Sequence, residues 1–268
     1  MALISMTYLS QALMRTVEVQ VILPVDKFLS AGGKESKRFK TLYLLHGVLG
    51  SNMDWISGTG IQRWAEARDL AVVMPSGENS FYFDHVLPNH AYGTLIGEEL
   101  PAIMRRTFPL SDRREDTFIG GLSMGGYGAL CNGLKYCGTF SHIVALSSAA
   151  HIFKEEGDGF LGVLSCFGDR KAAEKTDLNP EVAFEHAREK GYEPKIYMAC
   201  GTEDSLLKAN RELKTFFEEK GTDLTYVEAA GGHDWDFWDS QIRKSLEWLP
   251  LDTESVGISS GHVEGKDR

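Results

Sequence analysis

The sequence predicts an α/β fold, with a mostly parallel central sheet and helices on both of its faces. Three observations carry that expectation. Short, nearly continuous apolar runs recur at residues 41–45, 70–74, 142–147 and 195–200, the pattern of strands covered on both faces. Stretches with helical spacing alternate with them, as in a chain built from strand–helix–strand units. No repeat or linker-like stretch divides the 268 residues, so residues 1–250 are expected to form a single domain. A chain of this length buries roughly three quarters of its unfolded surface and needs no disulfide or metal staple.

The elements follow in order. Residues 17–23 alternate as Val-Glu-Val-Gln-Val-Ile-Leu, a half-buried strand expected to be antiparallel near one sheet edge. A polar connection over 27–40 leads to the strand at 41–45, which runs into His46-Gly47-Val48-Leu49-Gly50. A helix over 62–68 precedes the strand at 70–74, closed by Pro75. The loop over 76–84 carries Asn79, Phe81, Tyr82 and Phe83. Ile96, Leu100, Ile103, Met104 and Phe108 recur at helical spacing, with Pro101 kinking that helix or marking its start. After strands at 117–122 and 142–147, residues 149–193 show no long strand pattern and read as an insertion over the strand ends that shapes a pocket. A strand at 195–200, a helix over 206–220 with Leu206, Leu213, Phe216 and Phe217 inward, a last strand at 223–228 and a last helix over 236–249 complete the chain. The tail, 251–268, is polar and expected to be mobile.

Composition excludes some functions. A formal charge of −10 argues against nucleic-acid and anionic-membrane partners. Cys131, Cys137, Cys166 and Cys200 lack zinc-type spacing and read as reduced, buried thiols. The N-terminus lacks the layout of a signal peptide, and no stretch approaches a membrane span. The expectation is a soluble, cytoplasmic protein, with a homo-oligomer left open.

The chemistry is signalled at Gly121-Leu122-Ser123-Met124-Gly125, between an apolar strand and a helical stretch rich in small residues. That is the context of the G-x-S-x-G nucleophile elbow, where a sharp strand-to-helix turn exposes a serine. The glycines leave room for the turn, and the following helix aims its N-terminal N–H groups at the site. No lysine follows at P-loop spacing. A serine hydroxyl needs a base, and the base a group that fixes its tautomer. When the order is serine, acid, histidine, the partners lie after later strands. His233, behind Gly231 and Gly232, is placed as the base. His46 and His85 precede the serine, His142 starts a strand, His151 and His186 fall in the insertion and His262 in the tail. Asp204 is preferred over Glu203 as the acid, although an aspartate there could also be only a helix cap. The N–H groups of Met124 and Val48 are the expected oxyanion donors.

With these residues in view, the chain resembles the esterase D group of α/β-hydrolases, and within it the small bacterial tributyrin and acetyl esterases. The resemblance rests on Leu44-Leu45-His46-Gly47, Asp54-Trp55, Val73-Met74-Pro75, Gly120 to Gly128, Cys200-Gly201-Thr202-Glu203-Asp204 and His233-Asp234-Trp235. It implies the α/β-hydrolase fold, catalytic roles for Ser123, Asp204 and His233, oxyanion roles for Val48 and Met124, and no cofactor or metal. The implied activity is hydrolysis of short-chain acyl esters, acetyl to butyryl, as in tributyrin or acetylated sugars. The group also holds feruloyl esterases, S-formylglutathione hydrolases and exported mycolyltransferases. The glutathione enzymes usually carry a Ser-Gly-Leu-Thr-Cys-type segment where this chain has His46-Gly47-Val48-Leu49-Gly50, which lowers that reading. An aromatic pocket for a feruloyl group could draw on Trp55, Phe81, Tyr82 or Trp235, whereas Trp235 and Trp238 read first as core residues of the last helix. The non-enzymatic alternative is an inactive binding protein on the same fold.

Overall fold

The computed structural model describes residues 1–27, 38–150, 152–155 and 157–251. The tail from residue 252 on, His151, His262 and most of the connection over 27–40 lie outside the described residues. Eight strands form one sheet: β1 (Ala2–Ser10), β2 (Arg15–Leu23), β3 (Lys40–Leu45), β4 (Leu70–Pro75), β5 (Thr117–Leu122), β6 (His142–Leu146), β7 (Lys195–Gly201) and β8 (Leu224–Ala229). Their spatial order is β1-β2-β4-β3-β5-β6-β7-β8. The six strands from β4 to β8 run parallel, and β1 and β2 add an antiparallel edge beside β4. The expected α/β-hydrolase architecture, mostly parallel and covered on both faces, is the one observed.

The helices are α1 (Asp54–Gly58), α2 (Ile61–Glu66), α3 (Tyr92–Thr94), α4 (Leu100–Thr107), α5 (Met124–Lys135), α6 (Arg170–Ala173), α7 (Pro180–Glu189), α8 (Leu207–Glu219) and α9 (Trp235–Trp248). Alternation along the strands sorts the core into two layers. Leu42, Leu44, Val72 and Phe118 face α1, α2 and α9, while Tyr43, Leu45, Val73 and Ile119 face α4, α5, α7 and α8. Both layers are apolar because both faces of the parallel strands are covered.

Strand order also places the site. From β3 the chain steps to β4 on one side, and β5 adds on the other. Open α/β sheets bind ligands outside the strand ends at such a switch point. Here it brings the loop after β3, which begins at His46, beside the turn after β5, which holds Ser123.

Three differences from the sequence reading have physical causes. β1 is absent from that reading because it is a half-buried edge strand whose Leu3 and Leu9 face solvent, blurring its alternation. The segment 149–193 holds α6, α7 and two short 3₁₀ turns, at Ile152–Lys154 and Phe160–Phe167. Helix α7 has an Asn179 cap, Pro180 in its first turn and buried Ala183, Phe184 and Ala187. Its inward face is largely alanine, a weak apolar signal. Finally, a π-helical turn, Leu95–Glu99, leads into α4 just ahead of Pro101. Proline cannot donate the N–H that a continuous α-helix would use there.

Candidate active site

Ser123 is held where serine does not go by preference, at φ +54° and ψ −117° between β5 and α5. The reason is crowding. A Cβ on Gly121 would lie 2.4 Å from the Gly125 carbonyl oxygen, and one on Gly125 would lie 2.4 Å from the Leu45 oxygen. The backbones of β3, β5 and α5 therefore meet with no side chain between them. The turn is pinned by Ser123 N–H to Leu146 O at 2.9 Å, and by the N–H groups of Tyr127 and Ala149, which donate to Ser123 O at 3.0 and 3.1 Å.

Two later loops converge on that serine. His233 Nε2 lies 3.0 Å from Ser123 Oγ, and His233 Nδ1 lies 2.9 Å from Asp204 Oδ2. A carboxylate only accepts, so Nδ1–H donates to Asp204 and Nε2 is left to accept the serine proton. Glu203, the alternative acid, is exposed. The Asp204 side chain is fully buried, and burial alone would raise its pKa. Hydrogen bonds from His233 and the Leu206 N–H outweigh that and hold the carboxyl below the ordinary aspartate range. Leu206, expected in the core, instead lines the cleft at the start of α8.

The loop after β3 is ordered by His46, which the sequence weighed only as a competing base. It is 1% exposed. Its Nε2 accepts from the Gly77 N–H at 2.9 Å, so the ring proton is on Nδ1, which donates to Gly47 O at 2.7 Å. Burial lowers its pKa and keeps it neutral. Gly50 N–H also donates to Gly47 O, at 3.2 Å. Among the described residues no peptide bond is cis, so the Val48 N–H points opposite to that carbonyl, and Val48 lines the cleft. Gly47 packs beside Ser123, since a Cβ there would meet Ser123 Cβ at 3.5 Å. Met124 opens α5, where the first N–H groups have no partner within the helix. The sequence signals for His46 were its place at the end of a buried strand before a glycine and its presence in the Leu44-Leu45-His46-Gly47 segment; neither pointed to its hydrogen bonds.

The cleft in front of Ser123 has a volume of about 770 Å³. Phe81, Ile152, Val163 and Leu164 form an apolar side, three of them from the 149–193 segment. Asp54, Glu155 and Asp234 give it acidic character, and no lysine or arginine is among its described lining residues. Trp235, read from sequence as a core residue, lines the cleft and packs edge-on against Trp55 and Trp238. Trp238 is 6% exposed and serves both core and cleft. Trp55 and Tyr82 are buried scaffolding, the indole donating to Leu45 O at 3.0 Å and the phenol to His46 O at 3.1 Å. Among the described residues no three His, Cys, Asp or Glu side chains group as metal ligands would.

Comparison with known proteins gives a consistent picture. A family model described as "Putative esterase" matches residues 10–249. The chain is 43% identical over 262 residues to an acetyl esterase of Caldicellulosiruptor saccharolyticus, covering 93% of this chain and 98% of that one. A fluorophosphonate-binding serine hydrolase of Staphylococcus aureus superposes with a TM-score of 0.83 at 28% identity, over 94% of this chain and 99% of that chain. An S-formylglutathione hydrolase of the same organism gives a TM-score of 0.81 at 29% identity, over 92% and 98%.

Two measurements check this geometry. His46→Phe keeps a planar ring but removes the bond to the Gly47 carbonyl and the acceptor of the Gly77 N–H, and kcat on a short ester is expected to fall roughly 10–100-fold with little change in KM. An unchanged kcat would mean that His46 does not hold the loop. For Asp204, the folded pKa lies below the unfolded one, so the stabilisation is complete above the unfolded value and disappears as pH falls through the folded one. In denaturant titrations the stability gap between native protein and Asp204→Asn should be full above about pH 5 and narrow below about pH 4.

Proposed function

The chain belongs to the putative-esterase family, and on that footing we propose that it hydrolyses short acyl esters, acetyl to butyryl, of neutral alcohols, with Ser123 as nucleophile. It is a serine hydrolase of the α/β-hydrolase type acting on carboxylic esters. The observation that carries the residue assignment is the hydrogen-bonded series from Ser123 through His233 to the buried Asp204.

In this reading His233 Nε2 takes the Ser123 proton as Oγ attacks the ester carbonyl. Asp204 holds the imidazole in the required tautomer and stabilises the cation that forms. Negative charge develops on the former carbonyl oxygen, where the N–H groups of Val48 and Met124 and the positive end of α5 meet it. The imidazolium then protonates the departing alcohol. Water repeats the sequence on the acyl-enzyme and releases the acid and free Ser123.

The substrate class draws support from the cleft. A glutathione thioester carries a net negative charge, and the lining carboxylates Asp54, Glu155 and Asp234 would repel it without any described lysine or arginine to compensate. A neutral alcohol, such as glycerol or a sugar hydroxyl, meets no such barrier. Four free cysteines fit a cytoplasmic setting, and no helix among the described residues is long and apolar enough to cross a membrane.

Initial rates on p-nitrophenyl esters from acetate to decanoate, beside S-formylglutathione, test the proposal. The highest kcat/KM is expected between acetate and butyrate, with Ser123→Ala losing at least about 10³-fold. Decanoate or the glutathione thioester ranking first would contradict the substrate class.

A further inference from the structure

We propose that Asn79 is a positioning residue for the oxyanion loop, holding the peptide that follows Val48. The proposal rests on the oxyanion role given to the Val48 N–H above.

The loop after β3 turns back on itself at residues 47–50, where Gly50 N–H donates to Gly47 O at 3.2 Å. Leu49 occupies the third place of that four-residue turn, at φ +64°. Glycine or asparagine usually fills a left-handed third place, because a larger side chain is crowded there. The leucine side chain does not anchor the turn from the core, since Leu49 is 65% exposed. What meets the strained peptide is Asn79, whose Oδ1 accepts from Leu49 N–H at 2.8 Å.

Asn79 is itself held firmly enough to hold a neighbour. It lies in the turn after β4, in which Ser80 N–H and Ser80 Oγ both donate to Gly77 O, at 3.3 and 2.6 Å. Glu78, beside it, has φ +49°. The Glu78 carboxylate accepts from the Tyr92 hydroxyl at 2.7 Å and pairs with Arg15, which ties the turn to α3 and β2. Gly77 N–H donates to His46 Nε2 at 2.9 Å. The same turn therefore grips the β3 loop twice, at His46 and at Leu49. Asn79 is not among the described residues that line the cleft, so it reaches the chemistry only through that loop.

Two grips do what one cannot. Each peptide is a rigid plane, and the planes on either side of Val48 are joined only through its φ and ψ. His46 Nδ1 and Gly50 N–H hold the Gly47 carbonyl, at 2.7 and 3.2 Å, which fixes one point of the plane that carries the Val48 N–H. That plane still swings about the held oxygen as long as the next peptide is loose. Asn79 holds the next peptide, so Val48 lies between two pinned planes. Without that acceptor Leu49 is free to relax to a negative φ by turning the Val48–Leu49 peptide, and Val48 moves with it. An oxyanion donor works through its fixed direction, so the loss falls on the transition state more than on the bound ester.

Two variants of this exposed residue test the assignment. Asn79→Leu keeps the size and removes the acceptor, whereas Asn79→Asp keeps an acceptor. On p-nitrophenyl acetate the leucine variant is expected to lower kcat about threefold to tenfold, with KM within about twofold. The aspartate variant should return to within about twofold of native kcat in roughly 0.5 M salt, which screens its added charge. A short-chain trifluoromethyl ketone supplies a second readout. Ser123 Oγ adds to its carbonyl, the hydroxyl proton passes to His233, and the oxyanion remains because no group can leave. The ketone's affinity should fall in Asn79→Leu by the same factor as kcat. A native kcat in Asn79→Leu, a fall in kcat that the ketone's affinity does not share, or no recovery in Asn79→Asp would overturn the proposal. Failure of the native protein to bind the ketone would instead remove the oxyanion reading itself, and this inference with it.

Discussion

Ser123 lies at φ +54°, and the surrounding structure must hold it there against a local cost of about 1–3 kcal/mol. That constraint orders much of what surrounds it. Gly121 and Gly125 have no side chains because the first turn of α5 lies against the end of β3, with Leu45 O within 2.4 Å of where a Gly125 Cβ would stand. The Leu45 carbonyl accepts from Trp55, which ties α1 to the same point. Leu146 O, at the end of β6, accepts from Ser123 N–H. Three parallel strands and two helices therefore meet at one residue, and the parallel sheet is the frame stiff enough to keep that residue strained.

The electrostatics around this point follow one rule, that buried polar groups are kept only where they are fully engaged. Asp204 is buried and charged because it accepts hydrogen bonds from His233 and a backbone N–H. His46 is buried and neutral because its two nitrogens are satisfied by a backbone donor and a backbone acceptor. The first arrangement keeps a carboxylate against the His233 ring, as the proposed mechanism requires. The second avoids placing a cation beside Gly47 and fixes a peptide plane instead. Neutral histidine and ionised aspartate thus do different work through the same accounting of donors and acceptors.

Much of the fold was legible in the sequence, because buried parallel strands give short apolar runs and the helices between them keep their spacing. Residues 41–45, 70–74 and 195–200 are of that kind. β1 escaped notice because an edge strand with Leu3 and Leu9 in solvent lacks a clean alternation, and α7 because alanine makes a faint stripe. At the site, Ser123 was marked by its glycines, and Asp204 and His233 by their order after later strands. The role of His46 carried no such mark. It lies in hydrogen bonds to Gly77 and Gly47, the first of them 31 residues away in the chain. Trp235 was misplaced for a related reason, since helical spacing shows that a residue leaves the solvent face but not whether it faces the core or a cleft.

The central claim is that the strained turn presents Ser123 as a nucleophile activated by His233. The most direct measurement is intact-protein and peptide mass spectrometry after brief exposure to a fluorophosphonate at neutral pH, with His233→Gln beside the native chain. One adduct per chain, mapped to Ser123 and formed at least about 100-fold more slowly in the variant, is the result expected. An adduct on another residue, or equal labelling rates in the two proteins, would contradict the account.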